Sequence, residues 1–325
     1  MHIPDGFLDA KTAAVSAALS VAGVGVALRQ ARKTLPARRV PLMGLAAAFV
    51  FAAQMLNFPV VGGTSGHLIG ATMTAVLLGP SAAVVVLTAV LLVQCFLFND
   101  GGVTALGANV FNMAIVGSLS GYAVYRSVRR LFPGLRGTVL AAAFAAWCST
   151  VLAAVSCAGQ LVFSGTLRWS VAFPAMANVH MLIGIGEGSI TALVITAIAR
   201  TRPELVEAGA VPRVSERWGE LAVYGALIAL GLALFVAPFA CPWPDGLDKV
   251  AEAFGFAQRS ASRQGGTPAP LAGYRIPGIG SATAATALAG AIGTIVVFGL
   301  AFALARVLVP RERSGLAPKP SSGRD

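Results

Sequence analysis

The sequence predicts an all-α polytopic membrane protein of about nine transmembrane helices, a seven-helix unit followed by a two-helix unit. Three observations predict it. Hydrophobic residues make up 56% of the 325 and charged residues only 11%, against about 25% in a soluble domain. Apolar runs of the ~20 residues that a helix needs to cross a bilayer recur along the chain. The basic residues cluster in alternate gaps between those runs, as positive-inside topology requires.

The stretch 12–28 runs directly into Arg29, Arg32 and Lys33, so it reads as a first span followed by a basic loop. A cleavable signal peptide is the rival reading. It fits poorly, because the residues ahead of the run hold Asp5, Asp9 and only Lys11. Further spans are expected near 41–60, 104–125, 138–162, 174–199, 219–239 and 281–308. The run 64–98 is too long for one span, and Gly79-Pro80 interrupts it. Read as two pieces, near 64–79 and 81–98 with the first tilted or broken, it brings the dense basic clusters to one side. These are Arg29 to Arg39, Arg126 to Arg136, Arg200 to Arg217 and Arg311 to Arg324, which with Arg306 hold 18 of the 24 Lys+Arg. That side is expected to be cytoplasmic, with the N-terminus outside and the C-terminus inside.

Residues 1–200 therefore carry seven spans. Residues 201–218, polar and with Pro203 and Pro212, read as a cytoplasmic linker. Residues 219–309 form a helical pair flanking an outer segment, 241–280, rich in Gly, Pro and Ser. Within it, 245–256 is expected to be a short helix with Asp245 as N-cap and Asp248 in its first turn. The tail 310–325 has the composition of a disordered segment. Cys95, Cys148, Cys157 and Cys241 show no metal or redox spacing.

All three histidines, His2, His67 and His180, fall near the predicted outer face. A histidine at position 2 gathers three nitrogens: the α-amine of Met1, the His2 amide and the His2 imidazole. With the amide deprotonated they form two fused chelate rings in a plane, a donor set suited to Ni(II) or Cu(II). The bulk of His2 disfavours enzymatic removal of Met1, so the amine is expected to stay. His67, in Gly-Gly-Thr-Ser-Gly-His-Leu-Ile-Gly (62–70), supplies a fourth nitrogen. The bland readings are a frayed terminus for His2 and a satisfied interfacial histidine for His67.

Asn109 and Asn112 lie three apart near an outer helix end. Such amides either orient a ligating imidazole or hydrogen-bond between helices. His180 and Glu187 stand two turns apart on one helix face, as an approach path or a buried polar pair. Asp5 and Asp9 serve to attract cations, or are solvated or capping residues. Walker A, His-Glu-x-x-His and Gly-x-Ser-x-Gly patterns are absent from the sequence, so a transporter of this kind draws its energy from elsewhere.

Four motifs resemble the CbiM/NikM substrate-binding components of energy-coupling factor transporters. They are Met-His-Ile-Pro-Asp-Gly-Phe (1–7), Gly-Thr-Ser-Gly-His (63–67), Asp-Gly-Gly-Val-Thr-Ala-Leu-Gly-Ala-Asn-Val-Phe-Asn-Met (100–113) and His-x-x-Ile-Gly-x-x-Glu-Gly (180–188). Residues 241–280 resemble the CbiN/NikN accessory subunit, fused here to the first. They carry Pro244, Asp245, Gly246, Leu247 and Asp248 as its loading motif and Tyr-Arg-Ile-Pro-Gly at 274–278. Asp248 stands where that motif usually has Glu, and Tyr274 tilts the resemblance toward nickel. The resemblance implies Ni(II) or Co(II) as transported ligand rather than cofactor, and Met1, His2 and His67 as its ligands. It also implies a transmembrane coupling subunit and two cytoplasmic ABC-type ATPases as partners, in a bacterial or archaeal cell membrane, with no enzymatic activity in this chain. Cobalt uptake for cobalamin synthesis and a non-transporting metal-responsive membrane partner are the alternative readings.

Overall fold

Inside a bilayer each backbone N–H and C=O needs a protein partner, so chain segments either close their own bonds as helices or are buried against others. The computed structural model, which describes residues 1–206, 218–261 and 269–309, shows both solutions. Most of the predicted linker 201–218, part of the segment 241–280 and the whole tail 310–325 lie outside the described residues.

Helix α1 (Ala10–Thr34) starts at Asp9, whose carboxylate accepts the Thr12 N–H as N-cap. Helix α2 (Val40–Gln54) ends before a small antiparallel hairpin, β1 (Phe58–Val60) with β2 (Thr64–Gly66). Helix α3 (Ala71–Leu78) and helix α4 (Pro80–Phe98) are parted by Gly79, at φ +89°, with Pro80 in the first turn of α4. Helix α5 (Leu106–Asn109), a π-helical turn (Val110–Val116) and helix α6 (Gly117–Leu131) continue one another. The long helices α7 (Gly134–Phe163) and α8 (Trp169–Thr201) come next. Helix α9 (Trp218–Gly231) leads through tighter turns to Phe239. The short helices α10 (Gly246–Ala253) and α11 (Gln258–Ala261) then precede α12 (Ala282–Leu308).

Among the described residues, six helical stretches are long and apolar enough to cross a membrane: α1, α4, α7, α8, Ala222–Phe239 and α12. Helix α2 is a shorter apolar helix, and α5, the π-helical turn and α6 run on from Leu106 to Leu131. The stretch 64–79, expected as a span, is not a continuous helix. It is β2, an extended turn and the eight residues of α3, ~12 Å long at 1.5 Å per residue. The expected count of nine is therefore approximate: among the described residues six stretches meet the length and hydropathy needed to cross, and 64–79 is broken. The cause of the break is local: Gly70 and Gly79 both adopt positive φ, and Pro80 cannot continue a helix from α3.

Packing relies on small residues, as it must where lipid offers no hydrophobic drive between helices. Helices α7 and α8 meet along a row of buried alanines, and a Cβ on Gly188 would come within 2.8 Å of the Ala143 carbonyl. Helix α12 lies against α2 and α4 in the same way. Its Gly293 faces Phe51 and Phe98, and Ala48 and Ala52 of α2 pack with Ala229 and Ala233. The second unit is thus docked on the first by close backbone approach.

The loops of one face interlock. Ile3 O accepts from Gly102 N, Phe7 O from Thr166 Oγ1, Pro244 O from Ser65 N, Asn57 O from Cys241 N and Leu97 O from Leu271 N. Arginines mark the opposite face: Arg39 reaches Leu77 O at the end of α3, and Arg129 reaches Phe132 O.

A Gly293→Leu variant tests the docking. Its Cβ would lie 2.2 Å from Phe51 Cζ and 2.6 Å from Phe98 Cζ, both rings being fully buried. Overpacking of this kind should destabilise by about 1–3 kcal/mol. It is read as a lower Tm in detergent, and an unchanged Tm would contradict the packing described.

Candidate metal centre

The centre is built around a stretch of extended chain held at depth. After β2 the residues His67 to Gly70 form neither helix nor sheet, yet Leu68, Ile69 and Gly70 are buried. Their peptide groups are satisfied by side chains from neighbouring helices. The Glu187 carboxylate of α8 accepts the Ile69 N–H at 2.5 Å and the Gly70 N–H at 2.9 Å. Gln54, the last residue of α2, donates its amide to Ile69 O at 2.9 Å. This is the condition under which irregular backbone is tolerated in a membrane protein, and it fixes where His67 stands.

The N-terminal segment is held over this stretch. Asn109 pairs with both peptide groups of Ile3, accepting its N–H at 2.8 Å and donating to its carbonyl at 3.1 Å. Asp5 accepts the N–H groups of Val103 and Thr104. Gly102 is required here, because a Cβ on it would lie 2.3 Å from the Asp5 nitrogen. The clamp buries the terminus: Met1 is 4% exposed and Ile3 not at all.

Met1, His2 and His67 converge. The Met1 α-nitrogen lies 2.7 Å from His67 Nε2, and the two imidazoles stack with centroids 5.2 Å apart and planes inclined by 26°. The His67 Nδ1 lies 3.1 Å from Leu68 O, a group that only accepts, so Nδ1 carries the proton and Nε2 presents its lone pair to the terminus. His2 Nε2 is 3.1 Å from Gln94 Oε1, and His2 Nδ1 is 3.2 Å from Asp100 Oδ1. Burial pushes the His2 imidazole below the ordinary histidine range, with Asp100 opposing. The neutral imidazole is the form that ligates metal.

Asp245, from the second unit, reaches into the same place. Its Oδ2 lies 2.6 Å from the Met1 nitrogen and 4.0 Å from His67 Nε2. Its Oδ1 caps α10 by accepting Leu247 N and Asp248 N. Burial alone would raise this carboxyl, but the Met1 ammonium and the capping bonds hold it below the usual carboxylate range. The turn ahead of it is fixed by Ser65 and Thr64, whose N–H and hydroxyls reach Trp243 O and Pro244 O. Burial, then Asp245, push Asp248 up to about 7. Gly246 packs on His180, where a Cβ would come within 2.8 Å of the ring. Leu247 is fully buried.

The remaining expected residues divide. His180 borders a cavity of about 10 Å³ that Met1, His67, Thr150 and Asp245 also line. Its Nδ1 donates to Met176 O, and its Nε2 has no hydrogen-bond partner among the described residues. His180 and Glu187 are not a polar pair: each bonds elsewhere, Glu187 as the anchor of the His67 turn. Neither asparagine orients an imidazole. Asn109 holds the Ile3 backbone, and Asn112 joins Gln160 and Ser156 of α7 because the π-helical turn carries it toward that helix. Asp9 caps α1 and Asp5 ties down a loop.

Sequence reasoning missed Gln54, Gln94 and Asp100. Gln94 donates to Gln54 Oε1 at 2.7 Å, and Asp100 Oδ2 accepts the Tyr274 hydroxyl at 2.5 Å. Burial and Asp100 push that hydroxyl well above the ordinary tyrosine range. The available signal was two glutamines inside apolar runs, each needing a partner that its own helix cannot provide.

Comparison with known proteins gives consistent matches. The family CbiM, described as the cobalt uptake substrate-specific transmembrane region, matches residues 2–205, and the PDGLE domain matches residues 219–310. The putative fused nickel transport protein NikMN of Archaeoglobus fulgidus is 38% identical over 308 residues, which cover 94% of this chain and 98% of that protein. The fused nickel transport protein NikMN of Rhodobacter capsulatus is 39% identical over 290 residues, 84% of each. A crystal structure of a transition metal transporter superimposes with a TM-score of 0.57 at 38% identity, covering 62% of this chain and 93% of that one.

The anchoring of the His67 turn can be tested with Glu187→Gln. The amide would turn a donor toward one of the two N–H groups of Ile69 and Gly70. Leaving that buried donor unsatisfied should cost about 1–3 kcal/mol, seen as a lower Tm; wild-type stability would remove the anchor role.

Proposed function

This chain belongs to the CbiM family, with a PDGLE domain joined behind it, and from that premise we propose that it is the metal-capturing subunit of an uptake system for Ni(II) or Co(II). The observation that carries the reading is the buried Met1 amine lying 2.7 Å from His67 Nε2, with the His2 ring stacked beside it. The Met1 amine, the His2 amide nitrogen, the His2 imidazole and His67 Nε2 are four nitrogens that can close on one ion in a plane. Planar nitrogen sets favour Ni(II) over Co(II). The family description, which names cobalt, supports Co(II) as the second reading.

The terminal ammonium is paired with Asp245. To ligate a cation the amine must leave that carboxylate and lose its proton. We assign the second unit a loading role on this ground: its motif supplies the group that holds the amine until metal replaces the proton. The loops that form the centre lie on the outer side, opposite the basic clusters. Release inward is driven by a transmembrane coupling subunit and two ATPases on separate chains.

Calorimetry with Ni(II) and Co(II), on protein purified with a native N-terminus, tests the reading. His2→Ala and His67→Ala should each abolish high-affinity binding, as should one residue added ahead of Met1. Wild-type affinity in any of the three would sink the four-nitrogen site.

Binding should also weaken in acid, because the amine and amide protons are expelled. The His2 imidazole, its pKa depressed by burial, begins to compete only below the ordinary histidine range. Titrations in buffers of different ionisation enthalpy should show proton release. A Kd independent of pH with no released protons would contradict ligation by the amide.

A further inference from the structure

We propose that Gln54 and Gln94 form a directional hydrogen-bond relay that sets the tautomer of His2, keeping Nδ1 unprotonated before metal arrives. The inference rests on the metal-capture reading and assigns two positioning residues to it.

The direction of the relay is set at its fixed end. The carbonyl of Ile69 has no proton to give, so the Gln54 atom 2.9 Å from it must be the amide nitrogen. Gln54 Oε1 is then the atom facing Gln94. It too only accepts, so the Gln94 atom at 2.7 Å must be its amide nitrogen. That leaves Gln94 Oε1 facing His2 Nε2 at 3.1 Å, and the proton between them must sit on the ring. Gln54 is 4% exposed and Gln94 not at all, so water cannot easily reverse the order.

A neutral imidazole carries one proton. With it on Nε2, the lone pair is on Nδ1, the nitrogen placed to close a chelate ring with the deprotonated His2 amide. Nε2, on the far side of the ring, cannot close it. The two imidazoles of the centre therefore present different nitrogens by different devices. The neighbouring Leu68 carbonyl places the proton of His67 on Nδ1, and a relay through α2 and α4 places that of His2 on Nε2. The relay starts at Ile69, two residues from His67, so both ring orientations are referred to one piece of backbone. Asp100 is the rival acceptor: its Oδ1 lies 3.2 Å from His2 Nδ1. A proton there would give the opposite tautomer.

The chain has three histidines, so full-length protein labelled with ¹⁵N-histidine gives three ring systems. His2 is assigned by its loss in His2→Ala. In metal-free wild-type protein at neutral pH, His2 should show a protonated Nε2 and an unprotonated Nδ1. Gln94→Met, similar in size but with no acceptor, should mix the tautomers and weaken Ni(II) binding about 10- to 100-fold. Gln94→Glu keeps an acceptor opposite Nε2, so it should restore the wild-type tautomer and recover most of the affinity. Gln54→Met breaks the relay one link earlier and should act as Gln94→Met does. A proton on Nδ1 of wild-type His2 overturns the proposal, as does wild-type tautomer and affinity in both Met variants. If neither Met variant folds, the wild-type spectrum alone decides. If the wild type shows the expected tautomer yet binds neither Ni(II) nor Co(II), the capture reading fails and the relay stands.

Discussion

Extended backbone inside a helical membrane protein cannot satisfy its own peptide groups, so other segments must supply the partners, as they do at Ile69. Its N–H is taken by Glu187 from α8 and its C=O by Gln54 from α2. Without such partners each buried group would cost several kcal/mol in hydrocarbon. The short α3, the broken pass and the inward position of His67 all depend on this arrangement. Gly70, at φ +75°, turns the chain from the anchored stretch into α3, a conformation that other residues rarely adopt.

The same need for partners governs the N-terminus. A free ammonium is costly to bury unless paired, and Asp245 pairs with it across the boundary between the two units. The capping bonds from Leu247 and Asp248 hold that carboxylate in place, so the start of α10 and the start of the chain share one group. Tyr274 makes a second connection, bonding Asp100 while its ring stacks on Phe98 at 4.7 Å. The second unit is therefore a structural part of the centre as well as a neighbour of it.

Much of the candidate site is legible in the sequence. His2 is conspicuous by its position, His67 by its glycine-rich surroundings, and Asp245 by its place as N-cap of an expected short helix. The partner of each polar side chain is not legible there. Asn109 and Asn112 share a helical spacing that suggests a shared role. The π-helical turn between them separates their directions, one to Ile3 and the other to α7. Spacing alone makes Glu187 a companion of His180, two turns away, yet its carboxylate is directed at the backbone of another segment. Gln54 and Gln94 stand out in the sequence only as single polar residues in apolar runs. In the fold they connect that backbone to the His2 ring.

The sequence by itself determined the membrane class, most of the helix boundaries and the grouping of the basic residues. Hydropathy is a property of each segment alone, and Gly79-Pro80 breaks a helix wherever it stands. Only the tertiary structure decided how the broken stretch 64–79 is anchored, that Asp245 meets the terminal amine and which acceptor faces each imidazole nitrogen. Those outcomes depend on hydrogen bonds of about 3 Å between residues as far apart as Met1 and Asp245. No local pattern encodes such distances, because they exist only once the helices are packed.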